Sequence, residues 1–380
     1  MTIRLLALFA ASAVLAASSA QARDVWTKAQ ANAWYARQPW LVGSNYVPAS
    51  AINQLEMWQA DSFDPARIDR EFDWAQAMGM NTMRVFLHNL LWEQDREGFK
   101  RRIDQFLAIA AKHHIKPVFV LFDSCWDPEP RLGPQHPPIP GVHNSGWVQA
   151  PGRAALEDRA HYDKLRDYVQ GIVGAFAKDD RIFAWDVWNE PDNDGGGNYP
   201  KHPGKQTLVE GLIVPVFGWA RAQNPMQPLT SGVWHTEDWS PAGATSMETK
   251  QLTQSDVISF HDYSWPEAFE KRVGQLIPYG RPVLATEYMA RGNGSTFDGS
   301  LPIGKKYNVA MINWGFVDGK TQTRLPWDSW LKPYTQSEPT LWFHEVLRAD
   351  GTPYRPAEVE MIRRMAAAAK GVIPRFPYTR

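Results

Sequence analysis

The chain has 380 residues, with 40 Lys and Arg against 41 Asp and Glu, so its formal net charge is −1. That near-neutral balance argues against binding to a nucleic-acid backbone, which needs clustered positive charge. The single cysteine, Cys125, excludes an intramolecular disulfide and any site built from several thiolates. Aromatic residues are abundant, with 18 Trp, 12 Tyr and 17 Phe, and most of them are expected in the core.

The first 22 residues are predicted to be a cleaved secretory signal peptide. Arg4 supplies a positive charge, an apolar run of 11 residues follows at Leu5 to Leu15, and Ala20-Gln21-Ala22 offers small residues for cleavage. Such a run is too short to cross a bilayer, which takes about 20 residues. We therefore expect a periplasmic or secreted mature chain, residues 23–380, with no membrane attachment.

Eight short runs rich in β-branched and aromatic residues predict strands in the mature chain. They span residues 40–46, 82–88, 116–122, 182–188, 228–234, 257–263, 282–288 and 309–316. Between the strands, one helix is predicted to begin at Asp64-Pro65 and to end at Gly79. Further helices are predicted over residues 99–111, 161–177, 206–220, 267–277 and 357–369. Apolar strands that alternate with helices are typical of a buried parallel sheet. Eight such units predict one α/β domain, a (β/α)8 TIM barrel.

Two connections are longer than a plain loop. Residues 123–157, after the third strand, hold seven Pro, and residues 317–340, after the eighth strand, hold Trp327 and Trp330. Long loops are commonly functional, and active sites of such barrels lie where the strands end. The loops after strands 3 and 8 are therefore expected at the active site.

Two glutamates come at strand ends, Glu190 after the fourth strand and Glu287 after the seventh. In a closed barrel of eight strands, positions three units apart face each other across the mouth. Two facing carboxyl groups suit the cleavage of a glycosidic bond, with one as acid and the other as base or nucleophile. Either residue alone could equally be a structural ion-pair partner.

The neighbours of these glutamates carry a family resemblance. Asn189-Glu190-Pro191, together with Glu287, resembles the large clan of retaining glycoside hydrolases on (β/α)8 barrels, and most of all its cellulase-type fifth family. Arg84, in Asn81-Thr82-Met83-Arg84-Val85, resembles the arginine that binds the nucleophile in that family. Where members often carry a histidine after the third strand, this chain has Asp123-Ser124-Cys125-Trp126.

The resemblance extends to the last three strands. His261 and Tyr263 match a His-x-Tyr element on the sixth strand, and Trp314 matches the tryptophan that forms the floor of the subsite where the bond is cut. Tyr263 is expected to hold an oxygen of Glu287, and His261 to contact either the substrate or Glu190. Weaker sugar-platform candidates are Trp126, Trp147, Trp234, Trp265, Trp327 and Trp330.

The resemblance implies a glycosidase that hydrolyses O-glycosyl bonds of a β-linked polysaccharide or oligosaccharide of mannan, xylan or glucan type. Glu190 would be the acid, Glu287 the nucleophile, and Asn189 a partner of the sugar 2-hydroxyl. No cofactor and no metal are expected, the partner is the carbohydrate alone, and the chain is expected to be a monomer. Two alternatives remain open: an exported carbohydrate-binding barrel without activity, and a transglycosylase.

Overall fold

A computed structural model of the chain describes residues 22–374. The predicted signal peptide lies outside the described residues except for Ala22. Among the described residues, no helix is long and apolar enough to cross a membrane.

Eight parallel strands form the sheet, each inside one of the ranges predicted from the sequence. The strands are β1 (Val42–Asn45), β2 (Thr82–Phe86), β3 (Lys116–Val120), β4 (Ala184–Asp186), β5 (Leu229–Thr230), β6 (Ile258–His261), β7 (Val283–Glu287) and β8 (Ala310–Asn313). Their order is β5-β4-β3-β2-β1-β8-β7-β6. Val233, just after β5, pairs with Phe260 of β6 and brings the two edges together. The expectation of a (β/α)8 barrel is therefore confirmed.

The α-helices alternate with these strands and cover the outside of the barrel. They are α1 (Lys28–Ala36), α2 (Gln54–Trp58), α3 (Pro65–Ala77), α4 (Asn89–Lys112), α5 (Arg153–Glu157), α6 (Tyr162–Ala175), α7 (Lys205–Arg221), α8 (Ser246–Gln254), α9 (Pro266–Leu276), α10 (Phe297–Lys306) and α11 (Pro356–Ala367). The predicted start of α3 is confirmed, since the Asp64 side chain accepts a hydrogen bond from the Arg67 amide at 3.0 Å.

The barrel interior changes from apolar to polar along the strands. Near the strand starts, small apolar residues such as Ala184 and Ala310 pack together, and Tyr35 of α1 packs against the same cluster. Near the strand ends the buried side chains include Arg84 and Asp186, which are inaccessible to solvent. A buried charge must be paired, so this end of the barrel is where polar chemistry is concentrated.

Candidate active site

Glu190 lies at the mouth of the barrel, four residues beyond the end of β4, in a backbone conformation unusual for a residue with a side chain. Its φ is +44°, in the left-handed region. One carboxyl oxygen accepts from His261 Nδ1 at 2.9 Å, and the other accepts from Asn193 Nδ2 at 2.7 Å and Cys125 Sγ at 3.2 Å. Such strain clusters at functional sites, and here the three contacts fix the carboxyl group in one place.

Glu287 is the last residue of β7 and faces Glu190. Its Oε1 accepts from Arg84 Nη1 at 2.9 Å, and its Oε2 accepts from the Tyr263 hydroxyl at 2.7 Å. A carboxyl oxygen of Glu287 and one of Glu190 lie within 4.8 Å of each other. The structure thus brings together both glutamates and the arginine, histidine and tyrosine that the resemblance pointed to.

Arg84 joins the two halves of the site. Its guanidinium binds Asp186 Oδ2 through Nε at 3.1 Å and through Nη2 at 2.8 Å. The same group donates to Asn45 Oδ1 at 2.9 Å and to Asn189 Oδ1 at 2.6 Å. Arg84 therefore orients Asn189, the neighbour of Glu190, and at the same time binds Glu287. The carboxylates of Asp186 and Glu287 balance its buried charge.

The electrostatics of the pair differ between the two glutamates. Burial raises the pKa of Glu190 and of Glu287, and the charge of Glu190 raises the pKa of Glu287 further. Burial also lowers the pKa of His261 to about 4, so the ring is neutral near pH 7 and its Nδ1–H can donate to Glu190. Glu287 accepts from the Arg84 guanidinium, whereas the donors to Glu190 among the described residues, His261, Asn193 and Cys125, are neutral. When the two carboxyl groups share one proton, that proton therefore belongs on Glu190.

The site also has the ligand types of a cation site, since atoms of Glu190, His261 and Glu287 lie within 4.8 Å of one another. Both carboxylates already accept hydrogen bonds from protein donors, among them the Arg84 guanidinium. A cation at this position would meet that positive charge. The donor set therefore suits two carboxyl groups held for acid–base work better than a metal.

Aromatic rings line the pocket above the glutamates, which has about 770 Å³ of space including its mouth. Five candidates from the sequence line it: Trp126, Trp147, Trp234, Trp314 and Trp327. Trp330 stacks on Trp126 with ring centres 5.6 Å apart. Trp265, another candidate from the sequence, is 66% exposed and does not line this pocket.

Several residues of the site escaped the sequence reasoning. Asp186 is the partner of Arg84, and its signal was a single acid inside an apolar strand. Asp123 binds Trp147 Nε1 at 2.6 Å and Asn189 Nδ2 at 2.9 Å, so it positions two pocket residues. Burial raises the pKa of the Cys125 thiol, which keeps its proton and can donate to Glu190.

The chain matches a model of glycosyl hydrolase family 10 over residues 142–257, under a third of its length. That stretch includes Glu190 but not Glu287. A search of curated protein sequences finds no match.

Solved structures resemble the whole barrel. The endo-1,4-β-mannanase of Rhizomucor miehei is 14% identical with a TM-score of 0.54, covering 86% of this chain and 97% of that one. A GH5_18 protein of Streptomyces cattleya, solved with GlcNAc, is 14% identical with a TM-score of 0.56, over 89% and 82% of the two chains. An exo-β-1,4-mannosidase of an Opitutaceae bacterium, strain TAV5, is 18% identical with a TM-score of 0.56, over 86% and 59%.

These likenesses agree on the fold, and the family match adds the chemistry. The matched model is of family 10, so the closer resemblance to the cellulase-type fifth family stays a prediction. The barrel, the partial family match and the two facing carboxyl groups together indicate an enzyme that hydrolyses O-glycosyl bonds.

Proposed function

We propose that the protein is a retaining β-glycosidase that works by double displacement, with Glu287 as nucleophile and Glu190 as acid and base. The observation that carries this proposal is the distance below 4.8 Å between oxygens of the two carboxyl groups. Retaining enzymes hold these groups about 5–5.5 Å apart, whereas inverting enzymes leave about 6.5–9.5 Å for a water molecule. The narrower gap favours direct attack by a carboxylate.

In the first step a Glu287 oxygen attacks the anomeric carbon and the glycosidic C–O bond breaks. The leaving oxygen takes the proton of Glu190, and a glycosyl ester of Glu287 forms. In the second step water attacks the same carbon, gives a proton to Glu190 and releases the Glu287 carboxylate. Two inversions at one carbon retain the β configuration.

Asn189 is suited to the sugar 2-hydroxyl, although most of its amide is already used. Its Oδ1 accepts from Arg84, and one N–H donates to Asp123 at 2.9 Å. The other N–H donates to the Cys125 sulfur in a long contact, with Nδ2 and Sγ 3.5 Å apart. That weakly engaged hydrogen is the one we assign to the substrate.

For the substrate we infer a β-linked oligosaccharide or polysaccharide of mannan, xylan or glucan type. The rings of Trp314, Trp126 and Trp234 line the pocket and offer flat apolar faces to sugar rings. Solved neighbours include mannanases, so mannan is the first polymer to test. The same rings and carboxyl groups also suit a fifth-family enzyme, as the sequence motifs suggest.

Two variants test the roles on aryl β-glycosides. Glu287→Gln should lose turnover on every substrate. Glu190→Ala should still form the glycosyl-enzyme when the leaving group needs no acid, and azide should then restore turnover by giving a β-glycosyl azide. Glu270→Gln, on the surface, is the matched control. Azide rescue of Glu287→Gln instead of Glu190→Ala would reverse the roles, and a wild-type protein that binds sugars without turnover would leave only the binding alternative.

A further inference from the structure

The loop after β3 does not behave as a surface loop. Its last part, residues 141–152, is buried throughout. Connecting loops normally run over the surface because their backbone needs water as a partner. This segment must instead find its partners in other parts of the protein, and those partners show what it builds.

The loop after β8 supplies many of the partners. The backbone N–H of Asn144 donates to the Thr321 carbonyl at 2.7 Å, and the backbone N–H of His143 donates to Ser329 Oγ at 2.9 Å. Gln322 Nε2 donates to the carbonyl of Ile139 at 2.8 Å. These bonds join loops that start on opposite sides of β1 and β2, so the two loops close over that side of the mouth.

Residues after β1 also bind the backbone of the segment 141–152. Asn53 Nδ2 donates to the Gly146 carbonyl at 2.8 Å, and Gln54 Nε2 donates to the Val148 carbonyl at 2.7 Å. Trp147 lies between these two anchored residues. Its indole N–H donates to Asp123 at 2.6 Å. The backbone on either side of Trp147 and the edge of its ring are therefore both fixed.

Trp147 forms a wall beside the platform of the active site. Its ring lies 5.9 Å from the ring of Trp314 at an angle of 77°, and 5.0 Å from the ring of Phe86 at 88°. The side chain is only 2% exposed. Behind these rings lies a separate pocket with about 340 Å³ of space, which Trp147 and Trp314 also line. The two rings therefore stand between that space and the active-site pocket.

The opposite side of the pocket is open. Trp234, Tyr263 and Trp327 line both the active-site pocket and an adjoining groove, which Asp262 and Arg272 continue outward. The groove has about 830 Å³ of space including its open side. The groove therefore gives the substrate a direction in which to extend away from the glutamates.

The roles proposed for Glu287 and Glu190 decide which end of the substrate faces Trp147 and which end faces the groove. In the proposed mechanism Trp314 is the platform for the sugar that Glu287 attacks, because its backbone amide donates to the carbonyl of Tyr288, the residue after Glu287. The leaving group lies next to Glu190, on the side of Trp234, which donates to nearby Asp192 at 2.6 Å. The wall thus stands at the non-reducing end, and the rest of the substrate occupies the groove.

Resting on the proposed function, the geometry points to exo-action: we infer that the enzyme removes single sugars from the non-reducing end of its β-linked substrate. Asn144 and His143, from the same loop segment as Trp147, also line the pocket. Both side-chain polar atoms of Asn144 lack a hydrogen-bond partner among the described residues, although they are buried. They are the groups available to recognise the terminal sugar.

The test compares capped and uncapped substrates of the wild-type protein. 4-Nitrophenyl β-mannoside, β-glucoside, β-xyloside and β-galactoside first identify the sugar. The β-1,4-linked pentaose of that sugar is then supplied free, and with a benzyl ether on its non-reducing terminal 4-hydroxyl. We expect the free pentaose to lose one monosaccharide at a time, and the capped one to react at least 100-fold more slowly.

Other products would overturn the inference and leave the proposed function intact. Internal cleavage of the capped pentaose, a disaccharide as the first product of the free one, or release from the reducing end would each do so. No turnover of any glycoside or pentaose would overturn the proposed function itself, and the inference with it.

A variant of the wall gives a second readout. Trp147→Ala should remove the wall and raise the rate on the capped pentaose, relative to the free one, at least tenfold. Trp265→Ala, at an exposed ring outside the pocket, is the control and should leave that ratio unchanged. An unchanged ratio in a folded Trp147→Ala protein would contradict the wall.

Discussion

Replacing Arg84 with lysine tests whether one guanidinium organises the site. The group is inaccessible to solvent and binds Asp186, Asn45, Asn189 and Glu287 at 2.6–3.1 Å. Lysine keeps the positive charge but carries a single nitrogen, which cannot reach all four partners in the geometry of the planar fork. The substitution therefore removes positioning while it leaves the buried acids with a counter-charge.

The expected size of the effect follows from the contacts that lysine loses. A hydrogen bond to a charged group contributes about 1.5–3 kcal/mol. If the bond to Glu287 is lost, kcat/KM should fall by about 10- to 100-fold, because about 1.4 kcal/mol corresponds to a factor of ten. Arg84→Ala is a poorer test, since removing one partner of a buried ion pair destabilises a protein by about 3–5 kcal/mol.

The assay measures kcat/KM on an aryl β-glycoside together with the free energy of unfolding in urea. Arg363→Lys is the matched control, because Arg363 is half-exposed on α11 and pairs with Glu360 at 2.9 Å. We expect no change in kcat/KM for this control. A folded Arg84→Lys protein with the turnover of the wild type would refute the assignment of Arg84 as the residue that holds Glu287.

Three further outcomes are expected. Asn193→Ala removes a hydrogen-bond donor that favours the charged form of Glu190, so the pKa of Glu190 should rise. The basic limb of the pH profile of kcat/KM should then move to higher pH, and a shift to lower pH would contradict this. Burial raises the pKa of Glu345 to about 8. The contribution of Glu345 to the free energy of unfolding is therefore full below about pH 4.5 and is lost as the pH rises through about 8. Urea unfolding of Glu345→Gln should show a weaker pH dependence than that of the wild type over this window. Export with cleavage after Ala22 predicts Arg23 as the first residue on N-terminal sequencing of the exported protein, and a retained leader would disprove it.

The barrel could be predicted from the sequence because its signals are local. Each strand is a continuous apolar run, and helices with recognisable ends separate the runs. Glu190 and Glu287 follow directly from that frame, because a residue at a strand end lies at the mouth whatever the loops do. Tyr263 and Trp314 came instead from the family resemblance, which places them on the sixth and eighth strands.

The rest of the site depends on contacts that no local pattern encodes. The bond between Asn144 and Thr321 joins residues far apart in the chain, so the wall could not be read from either loop alone. Cys125 reaches Glu190 because the loop after β3 folds toward the loop after β4. The composition of a Pro-rich loop showed that it was unusual, but not that it would be buried.

The proton NMR spectrum of the first product formed from an aryl β-glycoside tests the retaining mechanism most directly. The close approach of Glu190 and Glu287 predicts that the β-anomer of the free sugar appears first and that the α-anomer grows in only by mutarotation. Initial appearance of the α-anomer would mean inversion by an activated water molecule, and would contradict the role of Glu287 as nucleophile.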